Sequence, residues 1–280
     1  MKKFSKIIMV IALCCLIFPV CFGCASGTAA DLHVVTSTSL LSDIIERIGG
    51  DKVDIVNIIP PAQCPGHFDC KPGDMQKLAD ADIFFMHGWQ GEKFTQELID
   101  SANNDALVVE VINVEGNWMT PDVQLAAFDT IVTAMCDVDP ENCDFYQNNV
   151  NKNKIAIEKK GDEIKAELEG YNLGNINVLC AEQQAGFVKW MGLNIVGTFG
   201  RPDSLTPQIV KDLVDLGKAE NVTLVVDNLQ SGQDAGKGVA EELGCTRIIL
   251  SNFPGGFDNT ETWEKAIDSN VELVLGAVEG

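Results

Sequence analysis

The sequence predicts an α/β protein of two parallel-sheet αβ lobes joined by a long rigid helix, with a ligand cleft between the lobes. Three observations predict it. Short β-branched runs alternate with amphipathic helical stretches in both halves of the 280 residues, and repeated βα units of this kind make a parallel sheet covered by helices. A long polar helical stretch of about eight turns separates the two series. Stiff loops rich in proline, glycine and polar residues follow the strands, where open α/β sheets place their ligands, outside the carboxyl ends of the strands.

Residues 1–23 read as an export signal, with Lys2, Lys3 and Lys6 as a basic start and Ile7 to Phe22 as an apolar stretch too short for a comfortable membrane span. Gly23-Cys24 suits a lipoprotein cleavage site, which makes Cys24 the expected lipidation site and 24–31 a lipidated tether. Plain secretion and an uncleaved anchor remain open beside it. The protein is therefore expected at the extracellular face of the cell membrane, lipid-anchored, or in a periplasm.

The N-terminal αβ lobe spans 32–140. Leu32 to Thr36 reads as a strand, and Ser39 to Ile48 as a helix stopped by Gly49-Gly50. Val53 to Ile59, Asp82 to Met86 and Ala106 to Ile112 read as further strands, with helices at Asp74 to Ala81 and Glu92 to Ala102 between them. From Pro121 to Met135 the apolar spacing turns helical, Asp137-Val138-Asp139-Pro140 breaks it, and 141–170 is the connecting helix. The C-terminal lobe, 171–280, repeats the alternation. Its strands are Ile176 to Cys180, Asn194 to Thr198, Val222 to Asp227 and Thr246 to Leu250; its helices are Gln183 to Met191, Thr206 to Ala219, Gln233 to Leu243 and one from about Thr260.

The formal charge of −21 becomes −24 once the three lysines of the signal are removed. A surface this acidic excludes nucleic acid and an anionic membrane face as partners. Beyond Cys24 the cysteines are Cys64, Cys70, Cys136, Cys143, Cys180 and Cys245. Outside the cell the close pairs Cys64/Cys70 and Cys136/Cys143 read as local disulfides.

Residues 60–74 carry four prolines, two glycines and one of the three histidines, and form one wall of the expected cleft. His67 is the leading candidate there, as a metal ligand or a donor to an anion. Cys64-x-x-His67-x-x-Cys70 also has the composition of a zinc or copper site, so a disulfide-clipped lip and a metal cluster both stand. His87 ends the next strand and is followed by Trp89; strand ends on the same side converge, so His67 and His87 are expected on one wall of the cleft, with two unrelated polar residues as the alternative. Trp118 reads as core. In the second lobe Glu182 follows the first strand and Arg201 the second. The planar guanidinium of Arg201 suits a carboxylate or phosphate, with an ion pair to Asp203 as the alternative. Asp227-Asn228 ends the third strand within reach of the same space.

The chain resembles the extracellular zinc and manganese receptors of ABC importers that have a helical backbone between their lobes. The likeness rests on the order of Val34-Val35-Thr36-Ser37-Thr38, Ile58-Ile59-Pro60-Pro61 leading to Lys71-Pro72-Gly73-Asp74, Leu78-Ala79-Asp80-Ala81-Asp82, Trp118-Met119-Thr120-Pro121, Asp139-Pro140-Glu141-Asn142 and Met191 to Thr198. It implies a permease and an ATPase as partners, a small ligand, and a transition metal ion as the transported species, with no other cofactor. It also implies three histidines and one carboxylate at the cleft. Carried over one position at a time, these fall on Gly66, Gly116, Ala181 and Ser251. Small residues in all four places imply a larger void and a larger solute, such as a chelated metal or a small polar metabolite. The expected function is thus a lipid-anchored solute receptor, not an enzyme. An extracellular metal- or thiol-dependent enzyme using Cys64, His67 and Cys70, and a surface protein that has lost its ligand, are the alternatives.

Overall fold

The structure, a computed structural model, describes residues 32–89 and 94–279. The expected signal, tether and Cys24 lie outside these, as does the start of the helix expected from Glu92. Strand β1 (Leu32–Thr36) leads into α1 (Ser39–Gly49), and β2 (Val53–Asn57) into the proline-rich lip and α2 (Pro72–Ala79). Strand β3 (Ile83–His87), α3 (Phe94–Ala102) and β4 (Val108–Ile112) complete the first lobe. The second lobe runs β5 (Asn177–Ala181), α6 (Ala185–Trp190), β6 (Asn194–Phe199), α7 (Pro207–Ala219), β7 (Leu224–Asn228), α8 (Leu229–Gly232), α9 (Lys237–Leu243), β8 (Thr246–Leu250) and α10 (Trp263–Glu279). Between them stand α4 (Pro121–Val138) and α5 (Cys143–Leu168).

Each lobe has a four-stranded parallel sheet, ordered β2-β1-β3-β4 in the first and β6-β5-β7-β8 in the second. The order reverses between β1 and β3, and again between β5 and β7, so the loops that leave these neighbouring strands diverge and open a crevice. Strand β7 is buried at every position, with Leu224, Val225 and Val226 apolar, as a strand covered by helices on both faces requires.

The expected connecting helix is half of a helical hairpin. Helix α5 packs on α4, and the Cys136–Cys143 disulfide closes the turn between them. One continuous core includes Ile44 of α1, Phe128 of α4, Ile157 of α5, Val178 of β5 and Trp263 of α10. Polar contacts fix both lobes to the hairpin: Asn149 Nδ2 donates to Ile48 O at 2.9 Å, and Lys160 Nζ lies 2.9 Å from Asp268 Oδ2. Direct bonds also join the lobes, from Ser39 Oγ to Pro254 O at 2.8 Å and from Gln230 Nε2 to Pro61 O at 2.9 Å.

Candidate functional site

A cavity of about 280 Å³ lies where the two sets of strand ends meet. Every strand contributes to it through the segment that follows. The first lobe supplies Leu40 after β1, Cys64, Pro65 and Gly66 after β2, Trp89 after β3, and Gly116, Asn117 and Trp118 after β4. The second supplies Gln183 after β5, Arg201 after β6, Asn228 at the end of β7 with Gln230 and Ser231 after it, and Asn252 and Phe253 after β8. Convergence from eight strands makes this the best-formed ligand site in the described residues.

One wall is aromatic. The His87 and Trp89 rings stack at 3.7 Å, Trp118 meets His87 edge-on at 4.6 Å, and Phe253 of the second lobe lies nearly parallel to Trp89 at 6.3 Å. The other wall is a network of amides bonded to each other. Asn117 Nδ2 donates to Gln183 O and Asn252 Oδ1, and Asn252 Nδ2 donates to Gln183 O. Asn252 N donates to Gln230 Oε1, and Gln230 Nε2 donates to Ser251 Oγ. Ser231 N donates to Asn228 Oδ1 at 2.7 Å, capping α8. That bond fixes the flip of the Asn228 amide and leaves its buried Nδ2 without a partner.

Arg201 is the charged residue of the lining, and among the described residues no carboxylate pairs with it. The alternative ion pair with Asp203 is not formed. Its guanidinium instead lies across Gly66, where an added Cβ would come within 2.7 Å of Nη1.

The structure separates the candidate residues into three groups. Gly66, Gly116, Trp89 and Arg201 line the cavity. Ala181 and Ser251 stand behind it: Ala181 belongs to the apolar core of the second lobe, and Ser251 Oγ is held between Gln230 Nε2 and Phe253 O. Glu182 is exposed, and its neighbour Gln183 takes the place expected of it. The expected placement of His87 at the cavity wall is corrected. The ring is fully buried behind Trp89, its Nε2 is 2.8 Å from Thr38 Oγ1, and its Nδ1 has no partner. Burial pulls its pKa down to about 3, so the ring is neutral under ordinary conditions. His67 also departs from expectation. It is exposed and faces an adjoining, more open depression beside Ala62, Pro202 and Asp203, which meets the cavity at Gln230 and Ser231.

The expected Cys64–Cys70 disulfide is absent, and both are free thiols. The 3₁₀ turn Pro65–His67 separates them. Cys64 turns into the cavity wall, while Cys70 packs on the apolar cluster of Phe68, Leu78 and Phe84. Burial, with Asp74, Glu97 and Asp69 adding to it, pushes the Cys70 thiol up, which disfavours the thiolate a metal needs. Asp227 is turned away from the cavity too, bonded to Arg247 Nη1 at 2.6 Å and to Gly236 N. Trp118, expected as core, is core and lining at once.

The described residues contain no group of three or more His, Cys, Asp and Glu side chains able to hold a metal ion. The backbone at Gly116 reinforces this, since its φ of +114° and a Cβ position 2.6 Å from Val123 Cγ2 exclude an unstrained larger residue there. The residue types that sequence reasoning passed over, Asn117, Gln230, Ser231, Asn252 and Phe253, carry one legible signal. Each lies within about six residues of a strand's carboxyl end.

Comparison with known proteins gives this architecture relatives. A family model described as "Zinc-uptake complex component A periplasmic" matches residues 34–276. The chain is 38% identical over 119 residues to the manganese-binding lipoprotein MntA of Halalkalibacterium halodurans, covering 40% of this chain and 37% of that protein. It is 29% identical over 188 residues to the manganese ABC transporter substrate-binding lipoprotein PsaA of Streptococcus pneumoniae, covering 58% and 61% respectively. The chain thus spans less than two thirds of the length of these curated relatives. Among solved structures, the Mn²⁺ complex of the protein FpvC from Pseudomonas aeruginosa aligns with a TM-score of 0.75 at 17% identity, over 89% of this chain and 98% of that one. A Cd-bound periplasmic metal binding protein from Candidatus Liberibacter asiaticus aligns at 0.76 and 15%, over 88% and 99%. At these identities the structures speak to the fold alone, and it is the fold described above. With the family's pattern running from β1 into α10, the chain belongs to the family of zinc-uptake complex component A, ZnuA.

Proposed function

We propose that the protein is the solute-binding receptor of an ABC importer, delivering its cargo to a permease and ATPase, and that its cleft takes a solute larger than a bare metal ion. Family membership and the names of the curated relatives support the receptor part. Anchoring through Cys24 would keep the receptor beside its permease.

The observation that carries the second part is the guanidinium of Arg201 lying across Gly66. Gly66 is the position to which the resemblance assigns the first histidine. A divalent ion needs imidazole nitrogens and carboxylate oxygens at about 2.0–2.2 Å. Here a permanent cation fills that space, and it opposes a second cation. The enzyme reading loses its cluster, because Cys64 lines the cavity while His67 faces elsewhere. The inter-lobe hydrogen bonds and the shared hairpin core resist a wide hinge, so capture proceeds by rearrangement of the loops at the rim.

The test is equilibrium dialysis of chelator-stripped protein against zinc and manganese, with a thermal-shift panel of small polar solutes in parallel. The expected result is substoichiometric metal and a raised melting temperature with at least one organic solute. A zinc-soaked crystal with a four-ligand protein site at the cleft centre would overturn the proposal.

A further inference from the structure

We infer that the cavity is built for an organic anion: a small carboxylate with an apolar body, held by Arg201 and Gln183 against the aromatic wall. This rests on the receptor reading above and names its substrate class.

The inference comes from which polar groups of the cavity are already used. The carbonyl oxygens of Asn117, Asn252 and Gln230 accept bonds from Met119 N, Asn117 Nδ2 and Asn252 N respectively. Gln183 Oε1 accepts from Ser231 Oγ at 3.1 Å, and Asn228 Oδ1 accepts from Ser231 N. Each of these oxygens therefore already holds one bond, while among the described residues two donor groups of the lining hold none: the Gln183 Nε2 and the guanidinium fork of Arg201. The Asn228 Nδ2, on a residue 1% exposed, is unpartnered too but is sealed from the cavity.

A solute that supplies acceptors and negative charge satisfies both the Gln183 amide and the guanidinium at once. A neutral amide relieves them partly, and an amine relieves none. The guanidinium fork matches the two oxygens of a carboxylate. Trp89, Trp118, Phe253 and Leu40 give the cavity one apolar side, and a cavity of about 280 Å³ restricts the body to a small one. Because the protein as a whole carries a charge of −21, attraction for an anion is confined to this site, where a single cation faces low-dielectric walls.

A carboxylate can arrive free or as the shell of a chelated metal, and the experiment separates the two. Full-length protein is titrated with benzoate, phenylacetate, succinate and citrate, with the matched amides benzamide and succinamide, and with citrate premixed with Mn²⁺ or Zn²⁺. Melting temperature and tryptophan fluorescence are followed together, Trp89 and Trp118 being in the wall. We expect at least one carboxylate to bind at least tenfold more tightly than its amide. R201Q should weaken that binding by roughly tenfold to a hundredfold, the worth of a charged hydrogen bond. R201K, which keeps the charge and loses the fork, should weaken it less. Arg201 is half-buried and holds no ion pair among the described residues, so both variants should melt like the parent without ligand. Binding of citrate only as its metal complex would identify the chelated source.

Equal binding of amides and carboxylates, or a carboxylate affinity untouched by R201Q, overturns the anion inference and leaves the receptor reading standing. So does a flat carboxylate series at millimolar concentration beside a neutral solute that binds. Stoichiometric binding of free Zn²⁺ or Mn²⁺ at the cleft overturns both.

Discussion

Replacing His87 by phenylalanine should change how the protein responds to acid. The ring is buried, stacked on Trp89, and has a pKa near 3 in the native state against 6.5 for an ordinary histidine. Between those values the unfolded chain binds a proton that the native chain refuses, so stability falls as pH is lowered through this window. At one unit of pKa per about 1.4 kcal/mol, the loss from pH 7.5 to pH 5 comes to about 2 kcal/mol. Asp43 works in the opposite sense. Burial raises its pKa to about 6 despite Arg47 beside it, so between 6 and its ordinary 3.8 the native state takes up the proton more readily and gains on acidification. By pH 5 that gain is roughly 1.4 kcal/mol, and the parent protein alone would show a small net change. The informative quantity is the difference between parent and variant, measured by urea unfolding at each pH. H87F keeps a ring against Trp89 but loses the contact with Thr38 Oγ1 at 2.8 Å, so it should start about 1 kcal/mol less stable at pH 7.5. By pH 5 it should be the more stable of the two by about 1 kcal/mol. D43N, lacking the opposing group, should lose stability more steeply than the parent. Parallel curves for parent and H87F, or an NMR titration placing His87 near 6.5, would refute the reasoning.

Other perturbations test other parts of the fold. Replacing Cys136 and Cys143 with serine opens a short closed loop and should cost about 2 kcal/mol, read as a drop in urea midpoint that reducing the parent reproduces. R247A leaves the fully buried Asp227 carboxylate without its 2.6 Å partner and should cost about 3 kcal/mol; a change below about 0.5 kcal/mol would mean that the pair is solvated. G116A forces a side chain into a φ of +114° against Val123 and should destabilise by about 1–3 kcal/mol, visible as a lowered melting temperature. Alkylation of the unfolded, unreduced protein followed by peptide mapping should label Cys64, Cys70, Cys180 and Cys245 and spare Cys136 and Cys143.

Much of the fold was legible because it follows from local pattern. β-Branched runs bounded by glycine and asparagine gave strands, and helical spacing gave α1, α4 and α7 within a few residues of their observed ends. Boundaries moved where one residue type fits two states. Pro72 begins α2 as its first-turn proline, ahead of the Asp74 expected to start it, because a missing N–H costs nothing there. The helix expected from Gln233 to Leu243 shortens to α9, which starts at Lys237, and a short helix not expected, α8, precedes it and ends at Gly232 with a φ of +148°.

The sequence by itself determined that two βα series flank a long helical element and that the strand ends carry the site, since hydrophobic period and turn chemistry are properties of neighbours in the chain. It also placed Gly66 and Arg201 on cleft-facing loops. Only the tertiary structure decided what those residues do. Arg201 and Gly66 belong to different lobes, and nothing in the chain says that the guanidinium of one lies over the backbone of the other. His67 and His87 both follow or end strands on the cleft side, yet one looks outward and the other is sealed behind an indole. Cys64 and Cys70 are close in sequence and are kept apart by a turn that points one into the cavity and the other into a core. The unpartnered donor of Asn228 exists because Ser231 takes its oxygen. In each case the role is set by which way a side chain points across a junction of two lobes, and the energy that fixes that direction comes from residues more distant than local pattern can reach.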